Sequence, residues 1–343
     1  MNILTGQASS PTVGTAVPRN FDLSDVPVSL IGAAAEWFDV EVEDDAAIVR
    51  PRRSLPARCT IRPAALFWQE RGFWDINTVM GRLLFAPRTL RQQRYRPFTL
   101  DPRRELRELF LLVEPTPEDD LPASTGRWSN YETVTRRLME LAGVSWNGLL
   151  SWDVDDLMRL EPWLYPLEGC ALHALAQSSH AVGSCVLEVG SLRGQSTAML
   201  AMALRDVHSD SFVVSIDPHA DQPLNREQAR LTLAQIGEER RLVQFTCPSD
   251  AAWPILRERS ASLIFIDGDH SYGQVITDFE NYAPLLAPGG CLVFHDYGYG
   301  PHNGRPDVVP DVRRVIDEHV LPQGKFRPLL LAHTLLALVN TGD

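Results

Sequence analysis

The sequence predicts an α/β fold: a doubly wound, mainly parallel sheet that ends in an antiparallel hairpin, preceded by a distinct N-terminal region. Three observations carry that prediction. From about residue 167, short β-rich runs alternate with longer helical ones, as βαβ units do. Five of the short runs are almost continuously apolar, which suits strands covered on both faces. The last two apolar runs, KFRPLLLA and TLLALVN, are separated by little more than His333. That gap is too short for a crossover helix, so the two must pair antiparallel.

Taken in chain order, the first 165 or so residues behave differently from the rest. FDVEVEDDAAIVRP (38–51) suggests a β-hairpin turning at Asp44-Asp45. RRELRELFLLV (103–113) and NYETVTRRLMELAGV (130–144) suggest amphipathic helices, and PTPEDDLPASTG (115–126) a polar linker or loop. RTLRQQRYRP (88–97) reads as an exposed basic segment, although it could also grip a phosphate or an acidic acceptor. No internal repeat is present. Residues 1–165 are therefore expected to form a separate α+β or mainly helical domain, and residues 166–343 the α/β domain.

Within the second region SCVLEVG (184–190), SFVVSID (211–217), LVQFT (242–246), ASLIFID (261–267) and GCLVFHD (290–296) read as buried strands. The segments near 195–206, 224–236, 249–258, 271–286 and 307–320 read as helices. Pro288, Gly289 and Gly290 punctuate the last helix-to-strand turn.

Composition narrows the function. A chain of 343 residues with a formal charge of −12 has no general phosphate-tracking surface, so nucleic acid is an unsuited partner. Lys325 is the only lysine, a bias of GC-rich bacterial coding rather than of chemistry. Cys59, Cys170, Cys185, Cys247 and Cys291 form no CxxC pair and read as small hydrophobes in a reduced compartment. The N-terminus lacks a basic start with an apolar run, and no segment approaches the roughly 20 apolar residues of a membrane span. A cytoplasmic protein with no membrane association is expected.

In open α/β sheets ligands bind at the carboxyl ends of the strands, near the point where strand order reverses. The first strand of the second region runs through Glu188, Gly190, Ser191, Gly194 and Ser196 into a helix. A dinucleotide fingerprint would need a glycine where Leu192 stands. Glu188 would repel a pyrophosphate, yet it suits a ligand carrying an ammonium and a sulfonium, namely S-adenosylmethionine. On this reading Gly190 and Gly194 let the backbone approach the ligand, and the helix N-terminus receives its carboxylate. Asp217 would accept the ribose hydroxyls, and Ser249 and Asp250 would read an adenine edge. Plainer roles compete: glycines for a tight turn, Asp217 before Pro218 as a turn former, Ser249 as an N-cap.

The run IDGDHSY (266–272) passes from a buried strand into two acids and a histidine. If the fourth and fifth of these strands are neighbours, about 4.8 Å apart, Asp267 and Asp296 come together at one edge. Two carboxylates at that separation repel unless a proton or a cation lies between them.

VLEVGSLRGQSTAMLA, VVSIDPH, LIFIDGDHSYGQVITDFENYAPLLAPGGCLVFHDYG and PDVRRVIDEH together resemble the class I S-adenosylmethionine-dependent methyltransferases. The likeness is to the branch holding the macrocin and mycinamicin sugar O-methyltransferases and the cephalosporin-hydroxylase-like proteins, over about 167–343. It implies a Rossmann-like, seven-stranded sheet and an O-methyltransferase acting on a hydroxyl of a small molecule, a secondary metabolite or a sugar. It also implies a divalent metal, magnesium or manganese, on Asp267, His295 and Asp296, with His270 as general base. His295 departs from the acid those relatives carry, and favours manganese over magnesium, or a metal-free hydrogen-bonded cluster. The N-terminal domain is expected to shape the acceptor pocket or a homo-oligomer interface.

The remaining polar residues have plainer expectations. Asp278 and Glu280 read as a solvated helix face, and Tyr272 as a site-lining or packing residue. Tyr297, Tyr299 and His302, among Gly298, Gly300 and Gly304, read as a lid. Two other functions stay open: a metal-independent methyltransferase on a phenol, and a non-catalytic binding or assembly protein.

Overall fold

The computed structural model describes residues 28–31, 35–43, 46–52, 59–67, 81–83, 93–95, 106–115, 127–148, 164, 166–219, 223–297, 310–332 and 334–342. In the N-terminal part, strands β1 (Val28–Ile31), β2 (Phe38–Glu43), β3 (Ala46–Pro51), β4 (Cys59–Phe67), β5 (Gly81–Leu83), β6 (Gln93–Tyr95) and β7 (Leu106–Pro115) precede helix α1 (Arg127–Leu141). β2 and β3 pair antiparallel from Phe38↔Pro51 to Glu43↔Ala46, which puts the reversal at 44–45 as the sequence predicts. Arg50 pairs with Glu41 and Arg52 with Asp39, all four side chains exposed. The hairpin contributes Phe38, Ala47 and Val49 to the same buried cluster as Ile264 and Phe294.

One predicted helix is a strand. The segment 103–113 has helical apolar spacing, yet β7 lies between β1, to which it is parallel, and β4, to which it is antiparallel. Pairing on both sides satisfies its backbone, and tertiary pairing overrides a local pattern that fits either structure. The helix expected over 130–144 is α1, and the linker of 116–126 lies outside the described residues. So does most of the basic segment, of which β6 is a part.

The second region runs α2 (Pro166–Ser179), β8 (Cys185–Val189), α3 (Gln195–Asp206), β9 (Phe212–Ile216), α4 (Pro223–Gln235), β10 (Leu242–Phe245), α5 (Ser249–Leu256), β11 (Ala261–Ile266), α6 (Tyr272–Tyr282) and β12 (Leu286–Phe294). It continues through α7 (Pro310–Val315), a π-helical turn (Ile316–Val320), β13 (Phe326–Ala332) and β14 (Leu335–Asn340). The seven strands lie in the order β10-β9-β8-β11-β12-β14-β13. β8 to β12 are parallel to one another, and β14 is antiparallel to both β12 and β13.

Every residue of β8 and β11 is buried, as strands in the middle of a covered sheet must be. Strand order reverses between these two, so the switch point of the sheet lies at their carboxyl ends. Pro288, Gly289 and Gly290 are not a turn before β12 but a bulge within it. The register passes from Ala261↔Leu286 to Leu263↔Cys291, and a Cβ on Gly290 would stand 2.8 Å from the Ser262 carbonyl. Among the described residues no helix is long and apolar enough to cross a membrane.

Phe265, fully buried at the centre of β11, should cost about 3–5 kcal/mol on substitution by alanine. Leu224, 83% exposed at the start of α4, should change stability by less than about 0.5 kcal/mol. Urea unfolding midpoints of the two variants check the contrast.

Candidate active site

The carboxyl edge of the sheet is built by hydrogen bonds that carry each ladder one residue past its strand. Gly190 N donates to Ile216 O at 2.9 Å, Asp267 N to Val189 O at 2.8 Å and His295 N to Ile266 O at 3.1 Å. Ile266 is level with both Val189 and Phe294, so Gly190, Asp267 and His295 stand side by side, with Asp296 one residue beyond. Of the four described non-glycine residues with positive φ, Leu192, His219 and Asp296 follow β8, β9 and β12 on this edge. Each left-handed residue costs roughly 1–2 kcal/mol, and such strain persists where the surroundings over-determine it.

The loop after β8 is tied down from below. Glu188 is wholly buried, and its carboxylate accepts the hydroxyls of Ser196 and Thr197 from the first turn of α3. Burial pushes its pKa up to about 7, against the pull of those hydroxyls. Asp217 Oδ2 accepts the backbone N–H of Ser191 at 3.0 Å and of Leu192 at 2.8 Å, and its Oδ1 accepts His219 N at 2.8 Å. Both loop glycines have positive φ. A Cβ on Gly190 would lie 2.1 Å from the Asp267 carbonyl, and one on Gly194 would lie 2.8 Å from the Ala229 Cα. The close approach these glycines permit is therefore to β11 and α4.

Ser249 opens α5, but its hydroxyl turns to Asp278 rather than capping the helix; Gln274 Nε2 donates to both, at 3.0 Å each. Asp250 is exposed, and its carboxylate accepts Ala251 N. Asp278 is not on a solvated face. It is fully buried, with its pKa raised by burial, whereas Glu280 is exposed as expected. The signal was present: Asp278 falls on the same helical face as buried Val275, Phe279 and Tyr282.

Asp267 and Asp296 meet two histidines. His270 Nε2 lies 3.3 Å from Asp267 Oδ1, and its Nδ1 lies 3.7 Å from Asp296 Oδ2. His295 Nδ1 lies 3.0 Å from Asp267 Oδ1 and 3.6 Å from Asp296 Oδ1. Behind them stands a residue that sequence reasoning missed. Glu168 of α2, completely buried, has Oε2 3.3 Å from His295 Nε2, while its Oε1 accepts Thr334 N at 2.9 Å and the Thr334 hydroxyl at 2.6 Å. A lone acid inside the apolar helix PLEGCALHALA was its only sequence signal.

These groups set each other's charge. Burial alone would raise the Asp267 pKa, but the charges and hydrogen bonds of His295 and His270 hold it below the usual carboxylate range. Burial disfavours a charged His270, and Asp267 and Asp296 outweigh it and lift its pKa above that of a free imidazole. The same balance, with Asp267 and Glu168 as the raising partners, lifts His295 well above its ordinary value.

Residues 187–297 match the family model of a methyltransferase domain. All the candidate residues from Glu188 to Asp296 lie in that span, and Glu168 lies outside it. Over 146 residues the chain is 28% identical to an uncharacterized protein of Acanthamoeba polyphaga mimivirus, which covers 41% of this chain and 62% of that one. The chain thus spans less than two thirds of that relative. Among solved structures, an O-methyltransferase from Bacillus cereus in complex with S-adenosylhomocysteine is 20% identical, covering 61% of this chain and 100% of its own, with a TM-score of 0.45. The O-methyltransferase of tomaymycin synthesis from Streptomyces achromogenes, in complex with S-adenosylmethionine, is 20% identical, covering 62% and 98%, with a TM-score of 0.44.

Two tyrosines fasten the loops of this edge to the segment 316–320. Tyr272 shares its hydroxyl with Glu318 at 2.8 Å and His319 at 2.7 Å, and buried Tyr297 donates to Asp317 at 2.9 Å. The rest of the expected lid, with Gly298, Tyr299, Gly300, His302 and Gly304, lies outside the described residues.

Among the described residues no group of three or more His, Cys, Asp or Glu side chains is placed to hold a metal ion. The polar groups of this edge do suit S-adenosylmethionine. Ser191 Oγ and Asp278 Oδ2 are buried at this edge without hydrogen-bond partners, and a hydroxyl- and amine-bearing ligand supplies such partners.

Two predictions follow from the loop. Gly190→Ala should be far more costly than Gly143→Ala, because a Cβ at Gly143 meets nothing within 4 Å and carries only the strain of positive φ, about 1–2 kcal/mol. Thermal unfolding of both variants checks this. Folding raises the Glu188 pKa from 4.5 to about 7, so between those values the folded chain keeps a proton the unfolded chain has lost. Its contribution should therefore fall by about 3 kcal/mol as pH rises through that window, and Glu188→Gln should abolish the fall. Urea midpoints of wild type and variant at pH 4.5 and pH 8 test it.

Proposed function

We propose that the protein is an S-adenosylmethionine-dependent O-methyltransferase acting on a hydroxyl of a small-molecule acceptor, a secondary metabolite or a sugar, with His270 as general base. One observation carries this reading. The side chain of His270 is 36% exposed at the switch point of a methyltransferase domain, hydrogen-bonded to an Asp267 that Gly190 brings against the cofactor loop. Asp217, Ser191, Ser249, Asp278 and Asp250 would hold the cofactor, and Glu188 would keep the loop in place from behind. S-adenosylmethionine supplies, when bound, a methyl group already activated by its sulfonium.

The chain's own task is then alignment and proton removal. Methyl transfer needs the acceptor oxygen, methyl carbon and sulfur in line, and orientation alone can supply several kcal/mol. His270 takes the hydroxyl proton as the oxygen becomes nucleophilic. Asp267 holds the ring and stabilises the imidazolium that forms. This chemistry requires a neutral His270 in the resting enzyme, and a raised pKa makes that neutral ring a stronger base. The resemblance suggested a divalent cation as an aid to deprotonation. Without one, His270 acts alone, which suits acceptors with acidic hydroxyls such as phenols.

Calorimetry with S-adenosylmethionine should give saturable binding, and mass spectrometry of a metabolite extract incubated with protein and cofactor should detect products heavier by one methyl group. Absence of binding at millimolar cofactor would favour a non-catalytic role. His270→Ala should lower kcat by about 10²–10⁴-fold with little change in cofactor affinity. In the wild type, kcat/KM should rise with pH through a midpoint above the ordinary imidazole value of 6.5, because the base must lose its proton to act. A midpoint at or below 6.5 would remove His270 from the role.

A further inference from the structure

We infer that the π-helical turn Ile316–Val320 positions the reacting groups: through two tyrosines it holds the loop that carries His270 and the loop that carries Asp296 at a fixed spacing. On the methyltransferase reading, on which this rests, Asp317 and Glu318 are positioning residues that act through Tyr297 and Tyr272.

The same clasp is built twice, side by side. The Arg314 guanidinium lies over the Tyr272 ring, 4.4 Å from its centroid, and Glu318, joined to Arg314 at 3.1 Å, accepts the Tyr272 hydroxyl at 2.8 Å. One residue earlier the pattern recurs. Arg313 lies over the Tyr297 ring, 5.3 Å from its centroid, and Asp317, 3.5 Å from Arg313, accepts the Tyr297 hydroxyl at 2.9 Å. In each clasp an arginine holds the ring by its face, and the acid four residues on holds it by its hydroxyl. A phenol has one proton to donate, so with Glu318 as its acceptor Tyr272 takes a third hold from His319, whose Nε2 lies 2.7 Å away.

The clasps bear on the chemistry because of where the tyrosines stand. Tyr272 is two residues after His270, and Tyr297 follows Asp296 directly. Among the described residues the last backbone hydrogen bond between the two loops is His295 N to Ile266 O, before either Asp296 or His270 is reached. Side chains must set the rest of the spacing, including the 3.7 Å from His270 Nδ1 to Asp296 Oδ2. One turn of helix that grips both loops is a common support for it.

That support is itself anchored. Val312, Val315, Ile316 and Val320 are buried in the same cluster as Ile266 and Phe294, the last residues of β11 and β12. The inward face of the segment is therefore core, while three successive residues, Asp317, Glu318 and His319, reach the two tyrosines. Single π-helical turns recur at functional sites. The two clasps differ in strength. Tyr297 has no exposed surface, whereas Arg314 and Glu318 are 57% and 48% exposed, and exposed ion pairs contribute little. The His270 loop is thus held the more loosely of the two.

The test is made on the full chain. Amide hydrogen exchange read by mass spectrometry, with no cofactor or acceptor, should be about 3-fold faster over residues 268–272 in Tyr272→Phe. In Tyr297→Phe it should be about 10-fold faster over 295–297, and in both variants β8 and β11 should exchange as in the wild type. In the metabolite-extract assay Tyr272→Phe should lower kcat about 10-fold, with the apparent KM for S-adenosylmethionine within about twofold of wild type. Glu318→Ala should reproduce that loss, and Glu318→Gln, whose carbonyl still accepts the hydroxyl, should recover most of it.

Exchange unchanged in both loops, or faster throughout the chain, would overturn the inference. So would a Glu318→Gln variant as impaired as Glu318→Ala. Should Tyr297→Phe fail to fold, Asp317→Ala, altered at a side chain 37% exposed, reads the same loop. Exchange needs neither cofactor nor acceptor, so a failure of the clasps is distinguishable from absence of S-adenosylmethionine binding, which would count against the methyltransferase reading.

Discussion

The approach of Gly190 to the Asp267 carbonyl is the constraint on which the rest of the site depends. It lets the end of β8 lie against the end of β11 with no side chain between them, and the Asp267 N–H then bonds back to Val189. The loop after β8 and the acid cluster thereby become one edge. Any residue with a Cβ would push the two loops apart and separate the group that would hold a methyl donor from the group that would take a proton. The positive φ of Gly190 serves the same end, since it turns the loop away from the strand axis immediately after the last ladder hydrogen bond.

On that shared edge two acids, buried Glu188 and half-buried Asp267, have opposite electrostatics, and their partners explain why. Glu188 is met by hydroxyls, which are weak compensation for lost hydration, so burial dominates and the proton is held up to about pH 7. Asp267 is met by two imidazoles, whose charge reverses the effect of burial. Asp267 also adds to the raised pKa of Glu188, so the loop acid is kept neutral partly because the site acid is not. A positively charged ligand at this edge would relax that tension. The edge is therefore poised for a cation by the arrangement of its carboxylates alone.

What could be read from the sequence was whatever depends on neighbours along the chain. Strands β8, β9, β11 and β12 announce themselves as apolar runs, whereas β10, expected to be buried, is an edge strand with no buried residue; the short gap around His333 dictates the antiparallel pair β13 and β14. The hairpin at 44–45 is equally local. β7 was misread because its apolar spacing suits a helix as well as a strand, and only the strands on either side decide. Asp278 was misread by its charge, although helical phase put it inward. Glu168 was illegible for a deeper reason: its partners His295 and Thr334 lie 127 and 166 residues away, and no spacing rule links them.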